Sequence, residues 1–377
     1  MAGNNELSAA RGSSNDEFYT QYADIEAEMN AYVEFNPDVF RDKTILLPCD
    51  DPEWSNFTKY FATNFSRFGL KKLISTAYAK SAGSQQLTLF EQESPLFDMD
   101  KHDTHGKLFT LTRDKDGSGR VDTDDIEFSG YLEGDGDFRS AEVKALRNEA
   151  DIIITNPPFS LFREFVAWLM EAEKQFVIIG NLNAITYKEF FPLLKENKVW
   201  IGSSIHSGDR KFYVPDDYPL NAAGCGVDTD GRRFIRVKGV RWYTNIDFGE
   251  RHKDLLLDTM AHNLKFNKKL KKKLESDYGR LEYPVFDNYD VIEVPFTECI
   301  PSDYDGVMAV PITFLDKYNP DQFEIVEGSN RYGILNAWGK NDEIRAAHSH
   351  GNNINGKATY FRVHIRRKAG NTEGGNQ

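Results

Sequence analysis

Between Thr44 and Gly180 short apolar runs alternate with stretches of helical spacing, and this alternation is what most restricts the fold. Thr44-Ile45-Leu46-Leu47-Pro48-Cys49 reads as a buried strand closed by Asp50-Asp51-Pro52, since so short an apolar run ending in turn-forming residues leaves no room for a helix. Phe57, Tyr60, Phe61, Phe65 and Phe68 then recur at helical spacing, with Gly69 where a left-handed C-cap belongs. Leu73-Ile74-Ser75-Thr76-Ala77-Tyr78 is predicted as a second strand. After a loop at Gly134-Asp135-Gly136-Asp137, the pattern predicts helix 140–150, strand 151–155, helix 161–173, strand 176–180 and helix 187–196, and an aromatic-striped helix precedes the first strand at 16–35. Strands separated by helices of this length imply an α/β fold, with a mostly parallel central sheet covered on both faces. Ligands in such sheets sit at the carboxyl ends of the strands, where the loops at Asp50, Tyr78, Asp135 and Asn156 all lie.

These patterns divide the chain into a catalytic domain over 16–202 and a target-recognition and C-terminal region over 203–368, where shorter β-like runs such as 234–242 alternate with charged stretches. Residues 79–128, rich in Ser, Gln and Asp, read as an insertion whose core is a hairpin formed by 107–113 and 125–129. The Gly, Asn and Ser-rich ends, 1–15 and 369–377, are predicted to be disordered. No basic leader precedes an apolar run, and no stretch is long and apolar enough for a bilayer. Cys49, Cys225 and Cys299 are too scattered for a disulfide framework or a zinc site, so a soluble protein of the reducing cytoplasm is expected, with no membrane and no metal.

The most specific motif is Asn156-Pro157-Pro158-Phe159, set directly after the isoleucine-rich strand and before a helix. It suits one problem in chemistry. An amino group conjugated to a ring is a poor nucleophile, because its lone pair is delocalised. If the Asn156 side-chain oxygen and the Pro157 carbonyl accept its two N–H protons, the nitrogen is drawn toward tetrahedral geometry and its lone pair can meet an electrophilic methyl. The prolines stiffen the backbone and present no N–H to an incoming amine, and Phe159 offers a face for a stacked ring.

A net charge of −13 looks wrong for a partner made of phosphates, but the charge is polarised along the chain. Residues 91–140 carry 14 acidic against 6 basic residues, and residues 231–280 carry 14 basic against 6 acidic. Arg232, Arg233, Arg236, Lys238 and Arg241, interleaved with Phe234 and Trp242, form the candidate DNA surface. The lysine run 268–273 reads as an exposed helix face rather than a base reader.

With these motifs in view, residues 16–326 resemble the EcoRI modification methylase family of adenine-specific DNA methyltransferases. The resemblance rests on Asp16-Glu17-Phe18-Tyr19-Thr20-Gln21, Cys49-Asp50-Asp51-Pro52, Gly134-Asp135-Gly136-Asp137-Phe138-Arg139, the stretches 155–163 and 307–315, and a fainter match at Tyr360-Phe361-Arg362. It implies a Rossmann-like methyltransferase fold, S-adenosylmethionine as cofactor, and double-stranded DNA as substrate, its target adenine flipped into the Asn-Pro-Pro-Phe pocket and methylated on N6 without a covalent enzyme intermediate. GAATTC is the first site to test, and a restriction endonuclease acting separately on the same site is an implied partner. Phe18, Tyr19 and Thr20 resemble the segment that touches the methionine part of the cofactor. Asp50 and Asp51 occupy the first cofactor loop, where a carboxylate suits the α-amino group. Asp137, with Asp135 as competitor, resembles the acceptor of the cofactor adenine amine, Phe138 the aromatic packed on that ring, and Tyr78 a further contact. The Asn-Pro-Pro-aromatic motif also serves enzymes that methylate RNA bases or protein glutamine, and these remain alternatives.

Two other motifs carry less. Residues 114–125 match a calcium-loop template, with oxygen ligands at positions 1, 3, 5, 9 and 12 and glycine at 6. The preceding run alternates like a strand rather than a helix, so a hairpin turn is the better reading, although a non-catalytic DNA-binding or calcium-responsive module is the alternative of a different class. His348 and His350 read as a solvent-exposed pair.

Overall fold

The computed structural model describes residues 19–52, 54–79, 89–214, 218, 220–221, 224–287, 290–330, 333–334 and 353–368. The expectations for 1–15, 369–377, Phe18, His348 and His350 therefore lie outside the described residues. The chain forms two compact units, the described parts of Met1–Leu182 with Gly202–Phe248, and those of Asn183–Ile201 with Gly249–Gln377.

In the first unit the strands are β1 (Thr44–Leu47), β2 (Lys72–Ala77), β3 (Lys107–Leu111), β4 (Glu127–Tyr131), β5 (Ile152–Thr155), β6 (Gln175–Asn181), β7 (Asp209–Tyr213), β8 (Gly226–Val227), β9 (Arg233–Lys238) and β10 (Val240–Thr244). The central sheet runs β4-β3-β2-β1-β5-β6-β10. Its middle strands β2, β1, β5 and β6 are parallel, as the alternation predicts. Every residue of β1 and β5 is buried, which is why Ile45-Leu-Leu and Ile152-Ile-Ile are continuous apolar runs instead of alternating. Helices α1 (Tyr22–Phe35), α2 (Asn56–Thr63), α3 (Ala141–Glu149) and α4 (Phe162–Glu171) accompany the sheet, α3 packing on β1 and α4 on β6. Ser55 caps α2 and Ser140 caps α3 through their hydroxyls, and Gly69 takes the left-handed C-cap after the short helix Phe65–Phe68.

The expected hairpin forms as β3 and β4, and β3 pairs antiparallel with β2, so the hairpin extends the central sheet. A buried polar cluster holds it there: Glu91 receives Lys107 Nζ at 2.7 Å, His102 Nδ1 lies 3.1 Å away, and the Tyr131 hydroxyl donates at 3.1 Å. The run 234–242 is not one strand, since Gly239 at φ +69° breaks it into β9 and β10. Strand β9 joins the small antiparallel sheet β7-β9-β8, whereas β10, buried along its whole length, pairs antiparallel with β6. The expected boundary at 202/203 therefore moves, and 202–248 completes the first unit.

Glu28 of α1 fastens that returning segment. Fully buried, it accepts hydrogen bonds from the Tyr32 hydroxyl (2.6 Å), the amides of Ser203 (2.9 Å) and Ser204 (2.8 Å), and the Ser204 hydroxyl (2.6 Å). A Cβ on Gly202 would lie 2.1 Å from the Glu28 carboxylate, so the approach requires glycine.

The second unit is built on the sheet β11-β12-β15-β13-β14, formed by β11 (Val291–Glu293), β12 (Val307–Pro311), β13 (Phe323–Asn330), β14 (Gly333–Ile334) and β15 (Arg362–Arg367). Glu293, almost fully buried, is held in a bidentate pair by Arg362 at 2.6 to 3.0 Å. Helices α5 (Met260–Phe266) and α6 (Lys268–Tyr278) follow one another with Asn267 capping both. Among the described residues no helix is long and apolar enough to cross a membrane.

Removing the Glu28 carboxylate strands buried amide and hydroxyl donors. Glu28→Ala is expected to lower the unfolding free energy by about 2–4 kcal/mol, read as a lower denaturant midpoint at unchanged slope.

Candidate active site

The carboxyl ends of β1, β2 and β5 meet at Asp50. After β1 the chain turns sharply at Cys49, whose φ of +68° is left-handed for a residue with a Cβ. This turn brings the Asp50 amide to Thr76 O at 2.7 Å and the Cys49 amide to Thr76 Oγ1 at 3.4 Å, both at the end of β2. The Asp50 carboxylate accepts from Ser55 Oγ on one oxygen and Thr155 Oγ1 on the other, both at 2.7 Å. Thr155 also reaches Pro48 O at 2.7 Å, and the Ser75 hydroxyl donates to the Asp50 carbonyl. Burial pushes the Asp50 carboxyl up to about 7, against the lowering effect of the Thr155 and Ser55 hydroxyls, and neighbouring Asp51 adds to the rise.

Thr155 is the last residue of β5 and Asn156 the next, so the network that anchors Asp50 also sets the start of the Asn-Pro-Pro-Phe segment. Asn156 and Phe159 are half-buried and Pro157 is buried, with Phe159 opening a short 3-10 turn, Phe159–Leu161, in front of α4.

On the other side of Asp50, Asn56 Nδ2 donates to Thr20 O at 2.6 Å, and the Tyr19 ring stacks on Trp54 with centroids 6.4 Å apart. Thr20 Oγ1 and Gln21 Nε2 are buried without a hydrogen-bond partner among the described residues. Such groups are costly unless a polar ligand meets them, so this edge of the site fits a cofactor with charged and hydrogen-bonding ends.

The loop after β4 approaches β2 closely. Ala79 N donates to Asp135 O at 2.8 Å, and Gly136, at φ +86°, passes so near that a Cβ there would lie 2.9 Å from Ala77 O. The backbones at 77–79 and 135–136 therefore lie in direct contact, and Asp135 Oδ1 accepts the Asp137 amide at 3.2 Å. Two expectations change here. The Asp137 carboxylate is gripped by Arg139 through Nε (2.9 Å) and Nη2 (2.6 Å), and Arg139 also reaches Glu164 at 2.9 Å. The Phe138 ring is in the core, edge-on to Phe165 and Trp168 at 5.0 and 5.7 Å, rather than offered to a ligand.

The candidate DNA residues separate in the same way. Strands β7 and β9 pair so that Lys211 stands opposite Arg236 and Tyr213 opposite Phe234, which places Lys211, Tyr213, Phe234, Arg236 and Lys238 on one face. Lys211 Nζ lies 4.6 Å from both ring centroids, and Arg232 stacks over Tyr213 at 4.3 Å while pairing with Asp228 and Asp230. Arg236 and Lys238 are exposed, and Arg233 is half-buried, donating to Tyr218 O at 2.7 Å. Arg241 does not belong to this surface. It is buried in β10 and donates to the carbonyls of Val240 and His206 at 2.9 and 2.5 Å.

The calcium-like stretch forms the β3–β4 turn. Asp114, Asp116 and Asp125 bring oxygens within 4.8 Å of one another. Their carboxylates also accept the turn's own amides, Asp125 those of Lys115 (2.7 Å) and Asp122 (3.0 Å), and Asp114 that of Gly117 (2.6 Å).

The family described as adenine-specific methyltransferase EcoRI matches residues 6–368 of this chain. Type II methyltransferase M.EcoRI of Escherichia coli is 42% identical over 367 residues, covering 97% of this chain and 98% of that protein. Type II methyltransferases M.MpnI of Mycoplasma pneumoniae and M.MgeORF184P of Mycoplasma genitalium are each 33% identical, both over 95% of this chain and over 97% and 98% of their own lengths. No solved structure matches. A match over nearly the whole chain, on a sheet whose strand ends gather Asp50, Thr155 and Asn156, makes this protein a member of the adenine-specific EcoRI methyltransferase family.

Proposed function

We propose that this protein transfers a methyl group from S-adenosylmethionine to N6 of adenine at a short site in double-stranded DNA, with the target base flipped into the pocket at Asn156. Family membership supports adenine as the acceptor. The observation that carries the rest is the hydrogen bond from Thr155 to the buried Asp50, which ties the proposed cofactor carboxylate to the residue preceding the Asn-Pro-Pro-Phe motif.

S-adenosylmethionine, when bound, supplies an electrophilic methyl on a positively charged sulfur. The chain's own residues prepare the nucleophile. The Asn156 side-chain oxygen and the Pro157 carbonyl accept the two N6 protons, localise the lone pair and offset the positive charge that grows on the nitrogen. Phe159 stacks on the extruded base and makes up part of the stacking lost from the duplex. Asp50, ionised, receives an α-ammonium group, while the buried Thr20 Oγ1 and the donor Gln21 Nε2 suit the cofactor's hydrogen-bonding groups, the amide nitrogen its carboxylate. Tyr78, Asp51 and Asp135 complete the cofactor edge, and Asp137 acts there through Arg139. The face bearing Lys211, Tyr213, Phe234, Arg236 and Lys238 meets the DNA. A separately acting endonuclease for the same site is the partner this reading brings with it.

Asn156→Ala is expected to lower the methylation rate by at least about a hundredfold while the protein still binds S-adenosylmethionine, measured by transfer of labelled methyl to a GAATTC duplex and by calorimetry. Near-normal turnover in that variant would sink the mechanism. The pH dependence of binding follows from Asp50. Without ligand its carboxyl is protonated below about 7, and an α-ammonium group needs the carboxylate, so affinity should rise as pH increases through 7 and then level off. Calorimetry in buffers of different ionisation enthalpy should register proton release near neutrality, and Asp50→Asn should flatten the profile.

A further inference from the structure

The second unit carries a set of cations that the reading above does not use. Helix α6 buries Leu270 and Leu274, exposes Lys268, Lys269, Lys272 and Lys273, and leaves Lys271 at the boundary. Two of these are neutralised locally, Lys269 by Glu298 at 3.0 Å and Lys273 by Asp277 at 2.6 Å. Lys268, Lys271 and Lys272 have no carboxylate partner among the described residues.

Their placement opposes the stability of the helix. Lys268, Lys269 and Lys271 sit in its first turn, at the positive end of the helix dipole, and no acidic residue shares that turn. Lys268 also lies three and four positions from Lys271 and Lys272, where like charges repel across one helical turn. The carboxylates that do pair with this run, Glu298 and Asp277, are taken by Lys269 and Lys273. Just upstream, α5 exposes Lys265 and a largely exposed Phe266 ring tilted against His262 with centroids 4.6 Å apart. A line of phosphates would relieve the lysine repulsion and the helix dipole together.

We propose that the amino-terminal half of α6, through Lys268, Lys271 and Lys272, is a phosphate-backbone surface for duplex DNA. The proposal rests on DNA being the substrate, as argued above. Flexible ammonium groups act as point charges without the planar fork that reads a base edge, so this surface contributes affinity and orientation, not sequence choice.

The test is the double substitution Lys268→Glu with Lys272→Glu, compared with Lys188→Glu, an exposed lysine of the same unit. Circular dichroism checks folding, and S-adenosylmethionine binding checks the cofactor site. Duplex binding is measured by fluorescence anisotropy between 50 and 200 mM salt. The double variant should lose affinity for GAATTC and for unrelated duplexes by the same factor, at least about tenfold, keeping the ratio between them, and lose about 0.9 from the log–log salt slope for each phosphate contact removed. The Lys188 variant should match the unsubstituted protein. Unchanged affinity and slope in a protein that does methylate DNA overturns the surface alone, as does a loss confined to one sequence, which would mark base reading. Failure of the unsubstituted protein to bind or methylate duplex DNA overturns the function reading, and the surface with it.

Discussion

The hydrogen bonds around Asp50 are the constraint on which the rest of the first unit depends. One residue is bonded to two neighbouring strand ends and a helix cap, through its amide to Thr76, its carboxylate to Thr155 and Ser55, and its carbonyl to Ser75. A buried carboxylate is unfavourable unless it is well supported, and here the support comes from neutral hydroxyls. That choice leaves the carboxyl with a pKa near neutrality, where a cation arriving from solvent can still change its charge state. An arginine in the same place would have satisfied Asp50 permanently, as Arg139 satisfies Asp137.

Much of this architecture was readable from the residues. Strands β1, β2, β5 and β6 were plain because their short apolar runs end in turn residues, and a sheet buried on both faces leaves no alternation to confuse them. The helix start at Ser140 was legible from the helical pattern that follows it. The Asn156 motif stood out because proline is rare at the end of a central strand.

What stayed hidden was long-range. The sequence of β10, Val240-Arg-Trp-Tyr-Thr, contains an arginine, and local spacing places Arg241 with the basic residues before it. Only the pairing of β10 with β6 shows that its side chain is inside. Lys107 is another case, a fully buried lysine made tolerable by Glu91, sixteen residues earlier and separated from it by a polar stretch. Phe138 also follows tertiary context, because its core position depends on Phe165 and Trp168 of α4. Thr155 and Ser55 were overlooked because small hydroxyl residues at strand ends and helix caps are common, and their shared partner is visible only in space.

The backbone pairing of Tyr19 with Tyr213 has a consequence for energetics. The Tyr19 amide and carbonyl are both bonded to Tyr213, at 2.9 and 3.2 Å, so the segment beside Asp50 forms an edge of the small sheet that carries Phe234 and Arg236. Ordering either partner removes conformational freedom from the other. A shift of one strand end is therefore handed to the other through a pair of backbone hydrogen bonds and not through side chains, so substitutions at either tyrosine leave this link in place.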